Sequence, residues 1–222
     1  MDRVIFPLER RGGTLIRGLI IEGLSTSGKT SVFSALKRIQ SQTPDIERTM
    51  IAVSEHYSQV LHGDHGVLRS LKQEEHIELL NRHVEYLESL HNWIDSLGHT
   101  KTSNGVFYVL ERFHLNHRHA FENGIGIRKL ERRLAKLNAR CVLLTLSPEV
   151  VESRFIESRG ADWKSYVMKD GYSVDQTCLE FLNDQDRLRQ CAEQSLIPTM
   201  EITTDDVDWD GYARKIMLRL TE

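Results

Sequence analysis

The chain is poor in cysteine, carries little net charge and has no long apolar run. Its three cysteines, Cys141, Cys178 and Cys191, form no C-x-x-C pair and are odd in number, which argues against a disulfide framework and suits buried thiols in a reducing cytoplasm. Lys plus Arg (29) nearly balance Asp plus Glu (32), leaving a formal charge of −3, so no global field recruits nucleic acid or an anionic membrane. No apolar stretch approaches bilayer-spanning length. The N-terminal MDRVIFPLERRGG has charges on both sides of a short apolar run, unlike a secretory signal, and a cytoplasmic location is expected. Internal repeats and low-complexity tracts are also absent. With 222 residues and 40% hydrophobic content, one α/β domain spanning 1–222 is expected.

What is present is concentrated in eight residues. Gly23-Leu24-Ser25-Thr26-Ser27-Gly28-Lys29-Thr30 satisfies G-x-x-x-x-G-K-[ST], the Walker A phosphate loop, at every fixed position. Glycines let the backbone wrap an anion so that N–H groups and a helix N-terminus point at it. The loop residues Gly23, Ser25, Thr26, Ser27, Gly28, Lys29, Thr30 and Ser31 are the expected nucleotide-binding set. Lys29 would reach the β- and γ-phosphates, and Thr30 would ligate Mg²⁺. The context agrees: Leu15 to Glu22 reads as a strand, and Val32, Leu36 and Ile39 recur at helical spacing over Lys29 to Gln42. ATP and Mg²⁺ are the implied cofactors.

Strand-like segments follow at Thr49 to Ser54, Gly105 to Leu110, Cys141 to Leu146 and Ile197 to Thr203. The stretch Gly63-Asp64-His65-Gly66 reads as a loop, and Leu71 to Leu97 as one long amphipathic helix closed by Gly98. A polar, His-rich turn comes after Glu111-Arg112, then a helix over Ile127 to Leu137. Ser147-Pro148-Glu149 signals a helix start, with the helix running to about Ser158. Ser173-x-x-Gln176 resembles a capping box, and a short helix closes the chain. Alternating strands and helices imply a three-layer α/β/α fold with a five-stranded, mainly parallel sheet. Ligands then bind at the strands' carboxyl ends.

Three segments fall at such ends: the phosphate loop, Ser54-Glu55-His56 and Glu111-Arg112-Phe113. Glu55 could accept a proton from an attacking hydroxyl or stand as a solvated acid. Glu111 occupies the place of a residue that orients Mg²⁺, and Arg112 could clamp a phosphate or sit in a helix-start ion pair. Arg154, Arg159, Lys164 and Lys169 flank an aperiodic stretch, about 154–172, that suits a lid closing cations over phosphates. His114, His117 and His119 lack a recurrent zinc spacing. The guanine signature N-K-x-D of a GTP switch is missing, while Asp95 to Gly98 and Asp208 to Gly211 match D-x-x-G by letter only.

On these residues the chain resembles the nucleoside and nucleotide kinases of the phosphate-loop superfamily, notably deoxynucleoside and thymidylate kinases. The resemblance implies Glu55 as base, a Glu111-Arg112 pair at the phosphates, and Arg154 with Arg159 in an arginine-rich lid. It makes Lys29, Glu55, Arg112, Arg154 and Arg159 the implied catalytic set, with Thr30 and Glu111 at the metal. It also implies that the long helix lines a base pocket through Gln73, Asn81, Arg82 and Tyr86. His56 and Phe113 stand where deoxynucleoside kinases usually carry Pro and Ser, whereas Glu111-Arg112-Phe113 looks like the acid-Arg-aromatic triplet of thymidylate kinases. The expected partner is a small nucleoside-like or nucleotide-like acceptor. A kinase of another small alcohol, or a non-catalytic ATP-binding sensor, remains open beside it, as does a homodimer through the long helix.

Overall fold

The computed structural model describes residues 15–43, 47, 49–64, 67–97, 105–121, 126–168 and 171–220. Five strands form one parallel sheet: β1 (Ile16–Gly23), β2 (Thr49–Val53), β5 (Val106–Glu111), β6 (Ala139–Thr145) and β7 (Thr199–Thr203), in the order β2-β5-β1-β6-β7. The register pairs Ile21 of β1 with Glu111 on one side and Val142 on the other. The carboxyl ends of β1 and β5 therefore finish side by side.

Period-two alternation sorts the strand residues into two cores. Ile16 and Ile20 of β1, Tyr108 and Leu110 of β5 and Leu143 of β6 face one layer. There they meet Leu80, Val84 and Leu87 of α2 (Gln73–Leu97), Leu130 and Leu134 of α4 (Ile127–Lys136) and Leu188 of α7 (Val174–Gln194). Leu19 and Ile21, Phe107 and Val109, and Val142 and Leu144 face the opposite layer. Their partners are Val32 and Leu36 of α1 (Lys29–Gln42) and Ile216 of α8 (Trp209–Arg219). The result is a three-layer α/β/α fold whose central strands are covered on both faces. Tyr108 crosses β1 at Gly18, where an added Cβ would run into the ring. Among the described residues no helix is long and apolar enough to cross a membrane.

Several expectations are corrected. Gly63 and Asp64, expected in a loop, belong to a strand: β3 (Leu61–Asp64) pairs antiparallel with β4 (Val67–Ser70), while 65–66 lie outside the described residues. Four-residue strands containing His, Gly and Asp carry no apolar alternation to betray them. The His-rich turn is a helix, α3 (His114–Ala120). The helix at Ser147 is shorter than expected: α5 (Pro148–Val151) passes into a π turn at Glu152–Ile156, and Ser147 makes no side-chain cap. The lid stretch contains α6 (Ala161–Val167). Cys141 is buried, whereas Cys178 and Cys191 are half-buried free thiols. The capping box at Ser173 and Gln176 is present in both directions. Gly98 and Lys169 lie outside the described residues.

Candidate active site

β1 delivers the phosphate loop to the carboxyl edge of the sheet, and the loop's own donors shape it. Ser27 Oγ donates to the Leu24 carbonyl at 2.9 Å, and Lys29 Nζ donates to the same oxygen at 2.9 Å. Gly23 has no room for a side chain, since a Cβ would lie 2.6 Å from both Leu144 O and Ser27 Oγ. Thr26, a non-glycine residue, sits at φ 67°, and Gly28 at φ 91°. A left-handed non-glycine costs on the order of 1 kcal/mol or more and persists only where its surroundings hold it. Gly23 and the buried Ser27 therefore set the loop's shape. Ser25, Thr26, Gly28, Lys29, Thr30 and Ser31 line a cleft of about 230 Å³, together with Glu55, Arg112, Arg154, Ser158, Arg159 and Trp209. All five expected catalytic residues are brought to this one cleft.

Charged groups reach it from α1, from the turn after β2 and from the end of β5. Glu55, opening a 3₁₀ turn after β2, lies with Oε2 3.0 Å from Arg112 Nε and 3.6 Å from Lys29 Nζ. Glu111 closes β5; its Oε1 accepts from the Thr30 hydroxyl at 3.2 Å and its Oε2 from the Glu55 N–H at 3.2 Å. Arg112 also donates to Ser25 Oγ at 3.1 Å. Burial pushes the Glu55 carboxyl up, but Lys29 and Arg112 outweigh it, so the group lies below the usual carboxylate range and stays ionised. Burial, followed by repulsion from Arg112, pulls Lys29 down to about 8 despite the carboxylates around it. Thr30 and Glu111 present hard oxygen donors within hydrogen-bond reach of each other, a set that fits Mg²⁺.

Arg112 occupies φ 50°, and Glu22 holds the turn around it. This carboxylate, buried at the end of β1, accepts from the N–H groups of Phe113 and Leu115, each at 2.9 Å. It thereby caps α3 from another element, and burial raises its carboxyl to about 7 against those two bonds. Phe113 turns into the core, fully buried, and His56 is exposed, so neither departure from the kinase signatures lines the cleft.

Of the two arginines expected in a lid, Arg154 reaches the loop. Arg154 donates to Thr26 O at 3.2 Å and to Thr204 O at 2.9 Å, and stacks over the Trp209 ring at 5.4 Å. Arg159 lies over Trp163 at 4.6 Å. The Trp209 ring occupies the space that a side chain at residue 28 would need. Sequence reading missed Trp209; its signal was an aromatic just past the acidic turn that follows the last strand. Asp208 beside it resolves the D-x-x-G match, for its Oδ1 caps α8 through the Gly211 N–H at 2.9 Å.

A second cavity, about 460 Å³, adjoins the cleft and shares Ser25 and Arg112 with it. None of Gln73, Asn81, Arg82 and Tyr86 lines either cavity, contrary to the base-pocket expectation. Asn81 instead accepts from Arg133, Arg82 pairs with Glu78, and the Tyr86 side chain is exposed. Lys164 lines neither cavity. The three histidines of α3 diverge. His114 lies 3.6 Å from Glu22, His119 lies 3.6 Å from Asp184, and His117 Nδ1 meets His76 Nδ1 at 3.0 Å. His76 Nε2 sits 2.8 Å from the Ser58 carbonyl and must donate to it, which leaves its Nδ1 as acceptor for His117. His76 is therefore neutral, and burial pulls His117 down to about 4.

No family model and no curated protein matches the chain. Among solved structures, it is similar to the YorR protein of Bacillus subtilis in complex with phosphorylated GDP, with TM-score 0.53 and 14% identity over 91% of this chain and 95% of that one. It is also similar to shikimate kinase from Bacteroides thetaiotaomicron, with TM-score 0.50 and 12% identity over 93% and 99% of the two chains. Neither is named a deoxynucleoside or thymidylate kinase. At such identities the likeness is one of fold, and the fold is the P-loop three-layer α/β/α fold.

Proposed function

We propose that the chain is an ATP- and Mg²⁺-dependent phosphotransferase that moves the γ-phosphoryl group to a hydroxyl of a small nucleoside-like or other alcohol acceptor. The observation that carries this reading is the convergence of Lys29, Thr30, Glu55 and Arg112 on one cleft at the carboxyl ends of β1, β2 and β5, with the buried Glu111 behind them accepting from the Thr30 hydroxyl. The fold shared with shikimate kinase makes the reading natural.

In this reading the loop N–H groups and Lys29 hold the β- and γ-phosphates, and Trp209 with Arg154 offers a flat surface for the base. Thr30 and Glu111 would hold Mg²⁺, which neutralises phosphate charge when bound. Arg112 leaves its pairing with Glu55 to face the charge that spreads over the transferring group. Glu55 is then free to orient the acceptor hydroxyl, a task suited to an ionised carboxylate because the transition state asks for positioning more than for a strong base. Arg154 and Arg159 close the site from the lid and exclude water.

The test is Mg-ATP turnover against a panel of nucleosides, nucleoside monophosphates and non-nucleoside alcohols, with Lys29→Ala as blank. Acceptor-stimulated ADP release by the wild type alone is expected. Tight ATP binding without stimulated release by any acceptor would sink the proposal and favour a nucleotide sensor.

A further inference from the structure

No described residue of the long helix α2 lines either cavity, yet two of its side chains reach the turn that carries Glu55. That 3₁₀ turn, Glu55–Tyr57, uses the Ser54 and Glu55 carbonyls for its own bonds. Tyr57 N–H donates to Ser54 O at 3.0 Å, and the Ser58 and Gln59 N–H groups donate to Glu55 O at 3.2 and 3.0 Å. The Tyr57 and Ser58 carbonyls lie past the end of those bonds. Each accepts from an imidazole instead: His83 Nε2 donates to Tyr57 O at 2.8 Å, and His76 Nε2 to Ser58 O at 2.8 Å. His76 and His83 stand at i and i+7 of α2, two helical turns apart, so one face of the helix meets two adjacent carbonyls. Both rings are packed in place. His76 is fully buried and stacks on His117 with centroids 5.1 Å apart, and His83 lies against Phe113 at 6.1 Å.

The other side of the segment is held from β5 and α3. Glu55 N–H donates to Glu111 Oε2 at 3.2 Å, the Ser58 hydroxyl donates to the Glu111 carbonyl, and Val60 N–H donates to Asn116 Oδ1 at 3.0 Å. A 3₁₀ turn this short has poor hydrogen-bond geometry and does not fix a side chain by itself. The Glu55 carboxylate nevertheless sits 3.0 Å from Arg112 and 3.6 Å from Lys29. We infer that His76 and His83 are positioning residues, which grip the Glu55 turn by its last two carbonyls and so aim the carboxylate into the cleft. The inference rests on the phosphotransferase reading for what Glu55 does there. α2 then serves the site from behind, as a brace, instead of lining a base pocket. A displacement of roughly 1 Å at a reacting group can cost about 10²-fold in rate. Neither histidine lines the phosphate cleft, so a loosened turn should show in turnover and not in nucleotide affinity.

His83, the less buried of the two, gives the cleaner test. His83→Phe keeps a ring and removes the donor, whereas His83→Gln restores an N–H at similar reach. Amide hydrogen exchange across residues 55–60 of the Mg-ADP-loaded protein should quicken by roughly tenfold or more in His83→Phe and return to within about twofold of wild type in His83→Gln. With the acceptor that best stimulates ADP release, His83→Phe should lower kcat by roughly tenfold or more and leave the KM for ATP unchanged, and His83→Gln should recover the rate. On a Glu55→Gln background the same substitution should cost nothing further, because it acts through that carboxylate. His76→Phe set against His76→Gln repeats the comparison at the buried ring. Exchange unmoved in His83→Phe, a loss carried by the KM for ATP, no rescue by glutamine, or an equal loss on the Glu55→Gln background overturns the inference. Exchange that quickens and is rescued, in a protein that phosphorylates no acceptor, upholds the brace and sinks the phosphotransferase reading instead.

Discussion

Two groups of ionisable side chains lie back to back in this molecule and are kept in opposite states. At the cleft, Lys29, Glu55 and Arg112, with Glu111 buried behind Thr30, come from α1, the turn after β2 and the end of β5 and lie within reach of opposite charges. Behind the strand ends, His76, His114 and His117 are buried. Burial pulls His114 and His117 down to about 4, and lowers His76 as well. The contrast teaches how the same desolvation serves two ends. Where opposite charges converge, Glu55 stays ionised despite its burial. Where burial outweighs the neighbouring Glu131, as at His114 and His117, the groups become neutral packing and hydrogen-bonding units.

Removing a cleft charge should cost chemistry and spare the fold. Lys29→Ala is expected to lower acceptor-stimulated turnover by roughly 10³-fold or more, leaving the melting temperature unchanged or raised, because a desolvated cation leaves with it. Steady-state kinetics beside a thermal melt check both halves.

The buried group should do the reverse and make stability acid-sensitive. The folded-state values near 4 lie below the ordinary histidine value of 6.5, so the stability that these rings contribute is complete above pH 6.5 and is lost as pH falls toward 4. Each buried ring accounts for on the order of 3 kcal/mol over that window. Glu22 acts with the opposite sign. Its carboxyl, raised from 4.5 to about 7, favours the folded state below pH 4.5, an advantage lost as pH rises through 7. Two rings against one carboxyl predict a net fall in melting temperature between pH 6.5 and 4. His117→Gln should flatten that fall, and Glu22→Gln should steepen it.

Gly28→Ala sharpens the comparison at the loop. A Cβ there requires φ 91° and the space of the Trp209 ring, so a destabilisation of about 1–3 kcal/mol together with weaker ATP binding is expected by denaturant melts and titration. Trp209→Leu should act on the nucleotide alone. It should raise the KM for ATP by roughly tenfold, the worth of one aromatic contact, and leave the acceptor's KM unchanged. Arg82→Ala, which breaks an exposed pair with Glu78, should shift stability by less than about 0.5 kcal/mol.

What could be read in advance follows from the range of the forces involved. α1 begins and ends where its local pattern places it, because a glycine-ended loop and a three-and-four apolar repeat are both contained in twenty consecutive residues. α3 was invisible because its cap is Glu22, more than ninety residues upstream and on another strand. The phosphate loop and the strand-end acids were legible from motif and position. Trp209 was not, since its role arises only when α8 packs against α1 and brings the ring to Gly28. The base-pocket candidates on α2 failed for a similar reason: the helix turns Asn81 toward Arg133 and α4 rather than toward the cleft.

The most direct test of the central claim, that this cleft transfers a phosphoryl group, follows the phosphorus itself. ³¹P NMR of Mg-ATP with wild-type protein and the acceptor panel should show the γ resonance replaced by a phosphate-ester signal with at least one acceptor, absent with Lys29→Ala. ATP bound with Lys29-dependent affinity, but yielding no ester with any acceptor of the panel, would contradict the account.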